Sequence, residues 1–214
     1  MKVVPMYPNP YKLKIHLEHT DIYRVIMVPR DINMLQFHLI CQEAMGWMMA
    51  HLFTFTDKKG SSAKLKAGLP MGDLPFLSGP EEIKANEVKL SDFHEVSNGK
   101  YFWYWYDFGD DWWHKISFQK PSKNDLELFK GDPVCLQGEK ACPPEDIGGV
   151  GGYQHFLKII DEDIQPDKDE LMDFYGFMDG DVFDPDFFEI DFINEELSQI
   201  MEWDDWHKTA DDFT

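Results

Sequence analysis

The aromatic segment from Tyr101 to Phe118, YFWYWYDFGDDWWHKISF, constrains the fold of this chain more than any other feature. Ten of its eighteen residues are aromatic, and its one glycine lies among three aspartates near the middle. Aromatic residues favour strands, whereas glycine and aspartate favour tight turns. The segment therefore predicts two strands, 101–107 and 112–119, joined by a four-residue hairpin loop. Because both faces of the first strand are aromatic, we expect a central hairpin that is covered on both sides.

The register of this hairpin decides which side chains share a face. With FGDD as the loop, Asp107 pairs with Trp112 and Trp105 pairs with His114. Trp103, Trp105 and Asp107 then lie on the same face as Trp112 and His114. Asp107 and His114 become diagonal neighbours with Cβ atoms about 7–8 Å apart or somewhat less, within reach of a carboxylate–imidazole hydrogen bond. Such a pair is expected to titrate near neutrality.

Two interpretations of this end of the hairpin stay open. In the structural interpretation, Asp107 and Asp110 cap backbone amides of the turn and His114 is a satisfied core histidine. In the functional interpretation, the same side chains belong to a site that binds a ligand or partner, performs catalysis or holds a metal.

Three further strands are predicted from the N-terminal part of the chain. YKLKIHLEH alternates apolar and polar residues and predicts a half-buried strand, and DIYRVIMVP predicts its antiparallel partner. HLFTFTD predicts a third strand.

Helical spacing of apolar residues predicts about four helices. The first is capped by Asp31 and ends at Gly46. The second begins near Tyr153, the third follows Pro166, and the last lies within residues 184–203.

The mixed order of strands and helices predicts an α+β fold. We expect a mainly antiparallel sheet of about five strands packed with about four helices, in a single domain of residues 1–214. Residues 57–80 form a long loop or excursion in this prediction, and residues 121–152 are mostly irregular. The acidic helical end, residues 161–214, belongs to the same domain.

Negative charge is concentrated at the C-terminal end. The chain has 20 Lys and Arg against 40 Asp and Glu, and residues 161–214 hold two of the former and twenty of the latter, a local net charge of −18. Such a surface repels nucleic acid, which is therefore not an expected partner. The acidic surface either keeps the protein solvated or binds a basic protein partner. A local patch of Lys58, Lys59, Lys64 and Lys66 keeps nucleic acid as the weakest alternative.

The cysteines and the hydropathy pattern bear on location and cofactors. Three cysteines, an odd number, argue against a disulfide framework and for a reducing cytoplasm. No segment approaches the ~20 apolar residues of a membrane helix, so no membrane association is expected. Cys135 and Cys142 are farther apart in sequence than paired ligands of structural zinc sites. We therefore expect no metal or other cofactor, with His114, Cys135 and Cys142 as weak candidates for a divalent ion.

The segment ACPPEDIGGVGGY combines prolines, carboxylates and glycines ahead of a helix. Its prolines fix an extended turn, and its glycines permit positive φ and close backbone packing. One hypothesis is that Glu145 and Asp146 fold back towards the aromatic hairpin and gather carboxylates around His114. The candidate catalytic residues are then Asp107, Asp110, His114, Glu145 and Asp146. The candidates for lining a binding pocket are Trp103, Trp105, Trp112, His51 and Tyr153.

Three segments together resemble the plasmid pRiA4b ORF-3-like family, namely YDFGDDWWH (106–114), ACPPEDIGGVGGYQHFL (141–157) and AMGWMMAHLFTF (44–55). The early YKLKIHL and the late FDPDFFEIDFINEEL fit as well, so the resemblance covers nearly the whole chain. It implies a single α+β domain in a prokaryotic, mobile-element-associated or genomic protein. The family has no established biochemical activity, and the label of transposon passenger protein on some members is an association without a mechanism.

Two positions depart from the family pattern. The family often has histidine where this chain has Phe53, two residues after His51, and cysteine where this chain has Ile147, directly after PPED. If those family positions bind a metal, this chain lacks two of the ligands, which argues against metal binding here.

Three functions follow from these observations. The leading prediction is a non-catalytic binding or adaptor module with an aromatic–acidic site and an acidic face for a basic protein partner. The alternative is a metal-assisted, hydrolase-like enzyme in which the Asp, His and Glu candidates hold a divalent cation and activate water. The weakest alternative is a nucleic-acid accessory factor of a mobile element.

Overall fold

An eight-stranded sheet organises the part of the chain described by the computed structural model, which comprises residues 9–69, 80–162, 167–175, 177–178 and 182–207. In chain order the strands are β1 (Tyr11–Leu17), β2 (Tyr23–Val28), β3 (Phe53–Thr56), β4 (Lys66–Gly68), β5 (Ile83–Lys84), β6 (Tyr101–Tyr106), β7 (Trp112–Gln119) and β8 (Val134–Glu139). Across the sheet their order is β5-β4-β3-β6-β7-β1-β2-β8. Neighbouring strands pair antiparallel, except that β4 and β5 run parallel.

Six α-helices accompany the sheet within those residues. They are α1 (Met34–Met45), α2 (Leu90–Val96), α3 (Lys123–Leu128), α4 (Gly149–Asp161), α5 (Asp167–Phe174) and α6 (Ile190–Gln199). The prediction of helices with a mainly antiparallel sheet is confirmed. The expected counts of about five strands and about four helices are too low.

The missed elements are short and lack a clear periodic pattern. β4 and β5 have three and two residues, and β4 lies inside the predicted loop of residues 57–80. Residues 70–79 of that loop lie outside the described residues. α3 and β8 occupy six residues each of the segment 121–152 that was expected to be mostly irregular. The short strands exist because a neighbouring strand completes their hydrogen bonds, which local sequence does not reveal. α3 begins with a capping box of Ser122 and Asp125, a local signal that the prediction overlooked.

The predicted N-terminal hairpin is confirmed. β1 pairs with β2, and its odd-numbered side chains are buried while its even-numbered side chains are partly exposed. β1 also pairs with β7 on its other side, so it lies inside the sheet.

The aromatic hairpin β6–β7 lies at the centre of the sheet, but its predicted register is wrong by one residue. Tyr106 pairs with Trp112 and Tyr104 pairs with His114, which leaves a five-residue loop that begins at Asp107. Asp107 has a left-handed φ of 50°, a conformation that ends the strand before it. A slip of one residue moves side chains to the opposite face, so His114 points to the same side as Tyr104 and Tyr106.

Helix α1 covers the centre of the sheet. The Phe37 ring packs 5.6 Å from the Phe55 ring and 6.0 Å from the Phe102 ring, measured between centroids. The helix is capped by Asn33, which forms a capping box with Gln36, and not by Asp31 as predicted. Gly46 ends the helix in a left-handed conformation, as predicted.

Helix α4 starts earlier than predicted, whereas the predicted start of the next helix is not tested. α4 begins at Gly149, four residues before the expected start near Tyr153. The expected helix start at Pro166 lies outside the described residues, and α5 is described from Asp167.

Helix α6 covers the β8 edge of the sheet. The Asn194 side chain accepts a hydrogen bond from the Cys135 backbone N–H at 2.7 Å and donates one to the Cys135 carbonyl at 3.1 Å. These bonds satisfy backbone groups that an edge strand otherwise leaves exposed. Within the described ranges, no helix is both long enough and apolar enough to cross a membrane.

Candidate functional site

The β6–β7 loop is built around the side chain of Asp107. Its Oδ1 atom accepts hydrogen bonds from the backbone N–H groups of Gly109 at 2.9 Å and Asp110 at 3.3 Å. The Asp107 carbonyl also accepts a bond from the Asp111 N–H at 2.7 Å. The turn-capping role considered for Asp107 is therefore observed, and its Oδ2 atom is directed elsewhere.

His114 lies in the hydrophobic core and does not pair with Asp107. The imidazole is fully buried, with ring centroids 5.1 Å from Tyr104 and 5.3 Å from Trp47, and neither ring nitrogen has a hydrogen-bond partner. Burial lowers the pKa of His114 to about 3. The prediction of an Asp107–His114 pair that titrates near neutrality is wrong, because the register places His114 on the core face.

A different histidine meets the carboxylates. His51 Nε2 lies 3.3 Å from Asp146 Oδ1 and 3.7 Å from Asp107 Oδ2, and the three donor atoms all lie within 4.8 Å of one another. The backbone N–H of Asp107 donates to the Leu52 carbonyl at 2.9 Å, which fixes the His51 segment beside the end of β6. We call this group the His51 cluster.

The loop between β8 and α4 folds back onto the aromatic hairpin, as hypothesised. Tyr106 donates its hydroxyl hydrogen to Glu145 Oε1, and the Met48 N–H donates to Glu145 Oε2 at 3.1 Å. Trp47 Nε1 donates to the Pro143 carbonyl at 2.9 Å. The carboxylates of this loop are consequently gathered beside His51 and Tyr106, and not around His114.

Glycine is required where this loop meets the hairpin. Gly149 has a φ of +68°, and a Cβ atom there would lie 2.3 Å from the Asp110 carbonyl oxygen. The Asp110 side chain in turn accepts a bond from the Gly148 N–H at 3.0 Å. The expected close packing at the GGVGG segment is thus observed, and it anchors the loop that carries Asp146.

A cleft of about 730 Å³ adjoins the His51 cluster. Its aromatic side chains are Trp47, Phe174, Tyr175, Phe177, Phe183, Phe187, Phe188 and Phe192, and its carboxylates are Glu43, Glu145, Asp146 and Glu189. We call it the aromatic–acidic cleft. Asp146 belongs to both the cleft and the His51 cluster, so the two features share a border.

Among the described residues that line the cleft, one is positively charged, namely Arg24. All N–H groups of its guanidinium form hydrogen bonds within the protein. Its five N–H groups match five acceptors at 2.8–3.3 Å, namely the carbonyls of Ala44, Tyr23, Glu139 and Lys140 and the Sγ atom of Cys142. Phe188 also stacks at 4.8 Å from the guanidinium carbon. Arg24 therefore holds the cleft wall together and has no N–H group left for a ligand.

Glu43 carries the most perturbed carboxyl group of the cleft wall. Burial, followed by the nearby charge of Glu196, raises the pKa of Glu43 from 4.5 to about 7. The raised pKa favours the protonated form of Glu43, whereas a cation placed beside it would favour the charged form.

Comparison with known proteins places the chain in a family. The family model for plasmid pRiA4b ORF-3-like proteins matches residues 9–192. The chain belongs to the plasmid pRiA4b ORF-3-like family. It is 29% identical over 195 residues to the uncharacterized protein y4hQ of Sinorhizobium fredii (strain NBRC 101917 / NGR234). The aligned region covers 90% of this chain and 94% of y4hQ. It is also similar to the crystal structure of MM3350, a protein of unknown function from Methanosarcina mazei Go1, with a TM-score of 0.69, 31% identity, and coverage of 88% of this chain and 98% of that one.

The two departures from the family pattern occupy core positions. Phe53 is buried and stacks on His38 with a centroid distance of 3.6 Å. Ile147 is buried in the hydrophobic core next to the loop that carries Glu145 and Asp146. Both residues are therefore core residues in this chain.

The aromatic pocket candidates are dispersed. Trp103 and Trp105 lie on the other face of β6, where Trp105 stacks on Trp113 with centroids 4.9 Å apart. Trp112 is buried in the core, and Tyr153 lies beside a smaller cleft of about 250 Å³. His51 is the pocket candidate that the structure brings together with Asp107 and Asp146.

The weak metal candidates are not brought together. The Cys135 thiol donates to the Gln137 carbonyl, and the Cys142 thiol contacts Arg24 and Met45. With His114 they form no convergent ligand group in the ranges that the structure describes. Sequence reasoning also missed Glu43 and the aromatic residues between 174 and 192 as parts of a site. Most of these aromatic residues fall in predicted helices, and nothing in the sequence indicated that they share a cleft.

Proposed function

We propose that this protein is a binding module whose aromatic–acidic cleft takes up a basic, amphipathic segment of a partner protein. The observation that supports this most directly is the composition of the cleft wall: aromatic rings and four carboxylates surround an arginine whose N–H groups are all engaged. A partner with apolar and cationic side chains complements both properties.

Apolar recognition is supported by exposed aromatic and thioether side chains. Phe174, Phe187 and Phe192 are 74%, 57% and 59% exposed, and Met48 is 79% exposed, although all four line one cleft. Clustered exposed hydrophobic groups mark interaction surfaces more often than isolated ones. Aromatic and methionine side chains are also well suited to binding partners by burial.

Cationic recognition is supported by the electrostatics of Glu43 and Glu189. Glu43 lies on α1, while Glu189 precedes α6 on the other side of the cleft. The pKa of Glu43 is already raised by burial and by Glu196, and no cation among the described residues is seen to offset this effect. A lysine or arginine of a partner would supply that cation.

The test is fluorescence anisotropy with a labelled amphipathic peptide of lysine and leucine. Two control peptides test the two properties separately. A glutamate–leucine peptide keeps the apolar residues and reverses the charge, and a lysine–serine peptide keeps the charge and removes the apolar residues. We expect binding of the lysine–leucine peptide alone, weakened by salt. Phe192→Ser is expected to weaken it by about tenfold and Glu189→Gln by a few fold, about 1.4 kcal/mol or less each.

Two matched variants lie away from the cleft. Leu128→Ser removes an apolar side chain that is 53% exposed, and Glu81→Gln removes an exposed carboxylate. Both are expected to leave the peptide affinity unchanged. The proposal is overturned if the lysine–leucine peptide does not bind, or if the control variants weaken binding as much as the cleft variants.

A further inference from the structure

The Nε2 atom of His51 is buried and has no hydrogen-bond partner, although two carboxylates lie beside it. The 3.3 Å separation from Asp146 Oδ1 is short enough for a hydrogen bond, but the atoms are not aligned to form one. Unlike the ring nitrogens of His114, which lie among aromatic rings, this nitrogen faces two carboxylate oxygens. A third group bound between the nitrogen and the two oxygens would satisfy all three atoms.

The distances fit a metal ion as that third group. Ligand atoms about 2.0–2.2 Å from a zinc-sized ion lie roughly 2.8–3.6 Å from their neighbours in tetrahedral or octahedral arrangements. His51 Nε2 is 3.3 Å from one carboxylate oxygen and 3.7 Å from the other. The 3.7 Å distance to Asp107 is slightly longer than this range, so metal binding requires a small movement of the His51 ring, which is 25% exposed, together with a rotation of the exposed Asp146 side chain. All three ligand atoms already lie within 4.8 Å of one another.

Asp107 is prepared for such a role by its surroundings. The residue is 7% exposed, and its Oδ1 atom is held by the N–H groups of Gly109 and Asp110. This leaves Oδ2 directed at His51 in a fixed orientation. Hydrogen bonds that orient a ligating carboxylate are a regular feature of metal sites.

We propose that His51, Asp107 and Asp146 bind a first-row transition-metal dication of the Zn²⁺ or Mn²⁺ type. An imidazole nitrogen together with two carboxylate oxygens suits these ions better than Mg²⁺ or Ca²⁺, which prefer oxygen alone. Three protein ligands leave coordination positions for water or for a ligand. The site goes beyond the proposed peptide cleft and rests on different observations.

The test is isothermal titration calorimetry on the untagged protein after removal of bound metal. Zn²⁺, Mn²⁺, Mg²⁺ and Ca²⁺ are titrated in separate experiments. We expect one equivalent of Zn²⁺ or Mn²⁺ to bind, with Mg²⁺ and Ca²⁺ at least about tenfold weaker. Asp146→Asn and His51→Gln are each expected to weaken binding by about 10- to 100-fold. Asp132→Asn, which removes an exposed aspartate elsewhere, is expected to leave it unchanged.

Asp146→Asn is the decisive variant because the Asp146 side chain is 72% exposed, so its substitution is expected to disturb the fold little. Its circular dichroism spectrum and melting temperature are expected to match those of the unmodified protein without metal. The proposal is overturned if neither Zn²⁺ nor Mn²⁺ binds, if Mg²⁺ or Ca²⁺ binds as tightly, or if Asp146→Asn and His51→Gln leave the affinity unchanged.

Discussion

The hydroxyl group of Tyr106 donates a hydrogen bond to Glu145 Oε1, and this contact joins the end of β6 to the loop between β8 and α4. Glu145 also accepts a bond from the Met48 N–H, so three segments distant in sequence meet at one carboxylate. Burial and the Glu145 carboxylate raise the pKa of Tyr106, which keeps its hydroxyl group protonated as a donor. This junction positions the loop that borders both proposed sites.

Removing the Tyr106 hydroxyl is expected to destabilise the protein. Tyr106→Phe leaves Glu145 Oε1 without its donor, and we expect the free energy of unfolding to fall by about 1–2 kcal/mol in urea denaturation. A double-mutant cycle with Glu145→Ala, which removes the acceptor, should give a coupling energy of about 1 kcal/mol. Tyr101→Phe, at a partly exposed tyrosine of the same strand, is the matched control and should have little effect. A coupling energy near zero would contradict the role assigned to the junction.

Alanine substitutions at two glycines of α4 should have opposite effects. Gly149→Ala places a Cβ atom 2.3 Å from the Asp110 carbonyl oxygen at a φ of +68°. We expect it to lower the free energy of unfolding by about 2 kcal/mol or more. Gly151→Ala meets nothing within 4 Å and should stabilise the helix by about 0.5–1 kcal/mol. Chemical denaturation of both variants checks this, and equal effects would contradict the close approach.

Glu43 should make the folded state less stable as the pH rises. Its pKa is about 7 in the folded protein and 4.5 ordinarily, so between these values the folded state holds more protons than the unfolded chain. Stability from this group is present below pH 4.5 and is lost as the pH rises through 7. Glu43→Gln is expected to flatten that decline in denaturation curves measured from pH 5 to 8. Glu95→Gln, at an exposed position, should leave the profile unchanged.

His114 should have the opposite pH dependence. Burial lowers the pKa of His114 to about 3, whereas an unfolded histidine binds its proton near 6.5. Stability from the neutral ring is therefore complete above pH 6.5 and is lost as the pH falls towards 3. His38 behaves in the same way, with a pKa lowered to about 3 by burial. His114→Phe should give a shallower loss of stability between pH 7 and 4 than the unmodified protein, and exposed His19→Asn should not.

Strand-forming segments were predictable because their patterns are local. Alternation in β1 and the aromatic residues of β6 and β7 depend on burial of one or both strand faces, which the sequence displays directly. The register of the central hairpin was not predictable, because it depends on the left-handed conformation of Asp107. The resulting shift of one residue in the register placed His114 on the core face, away from the carboxylates.

The candidate site was predictable only in part. Asp107, Asp146 and His51 were each candidates, but their convergence depends on how the loop between β8 and α4 meets the segment before β3. The aromatic–acidic cleft depends on the placement of α5 and α6 beside that loop. Packing of distant elements leaves no periodic signal in sequence, and so the cleft became visible only in the structure.

The most direct measurement of the proposed function is an NMR titration of the ¹⁵N-labelled full-length protein with the lysine–leucine peptide. Backbone amide shifts report where the peptide binds and do not depend on assumptions about the partner. We predict that the largest shifts occur at residues 43–48 and 187–193, which lie on opposite sides of the aromatic–acidic cleft. Binding that shifts other surfaces, such as the exposed face around Trp103 and Trp113, and leaves the cleft unchanged would contradict the proposal.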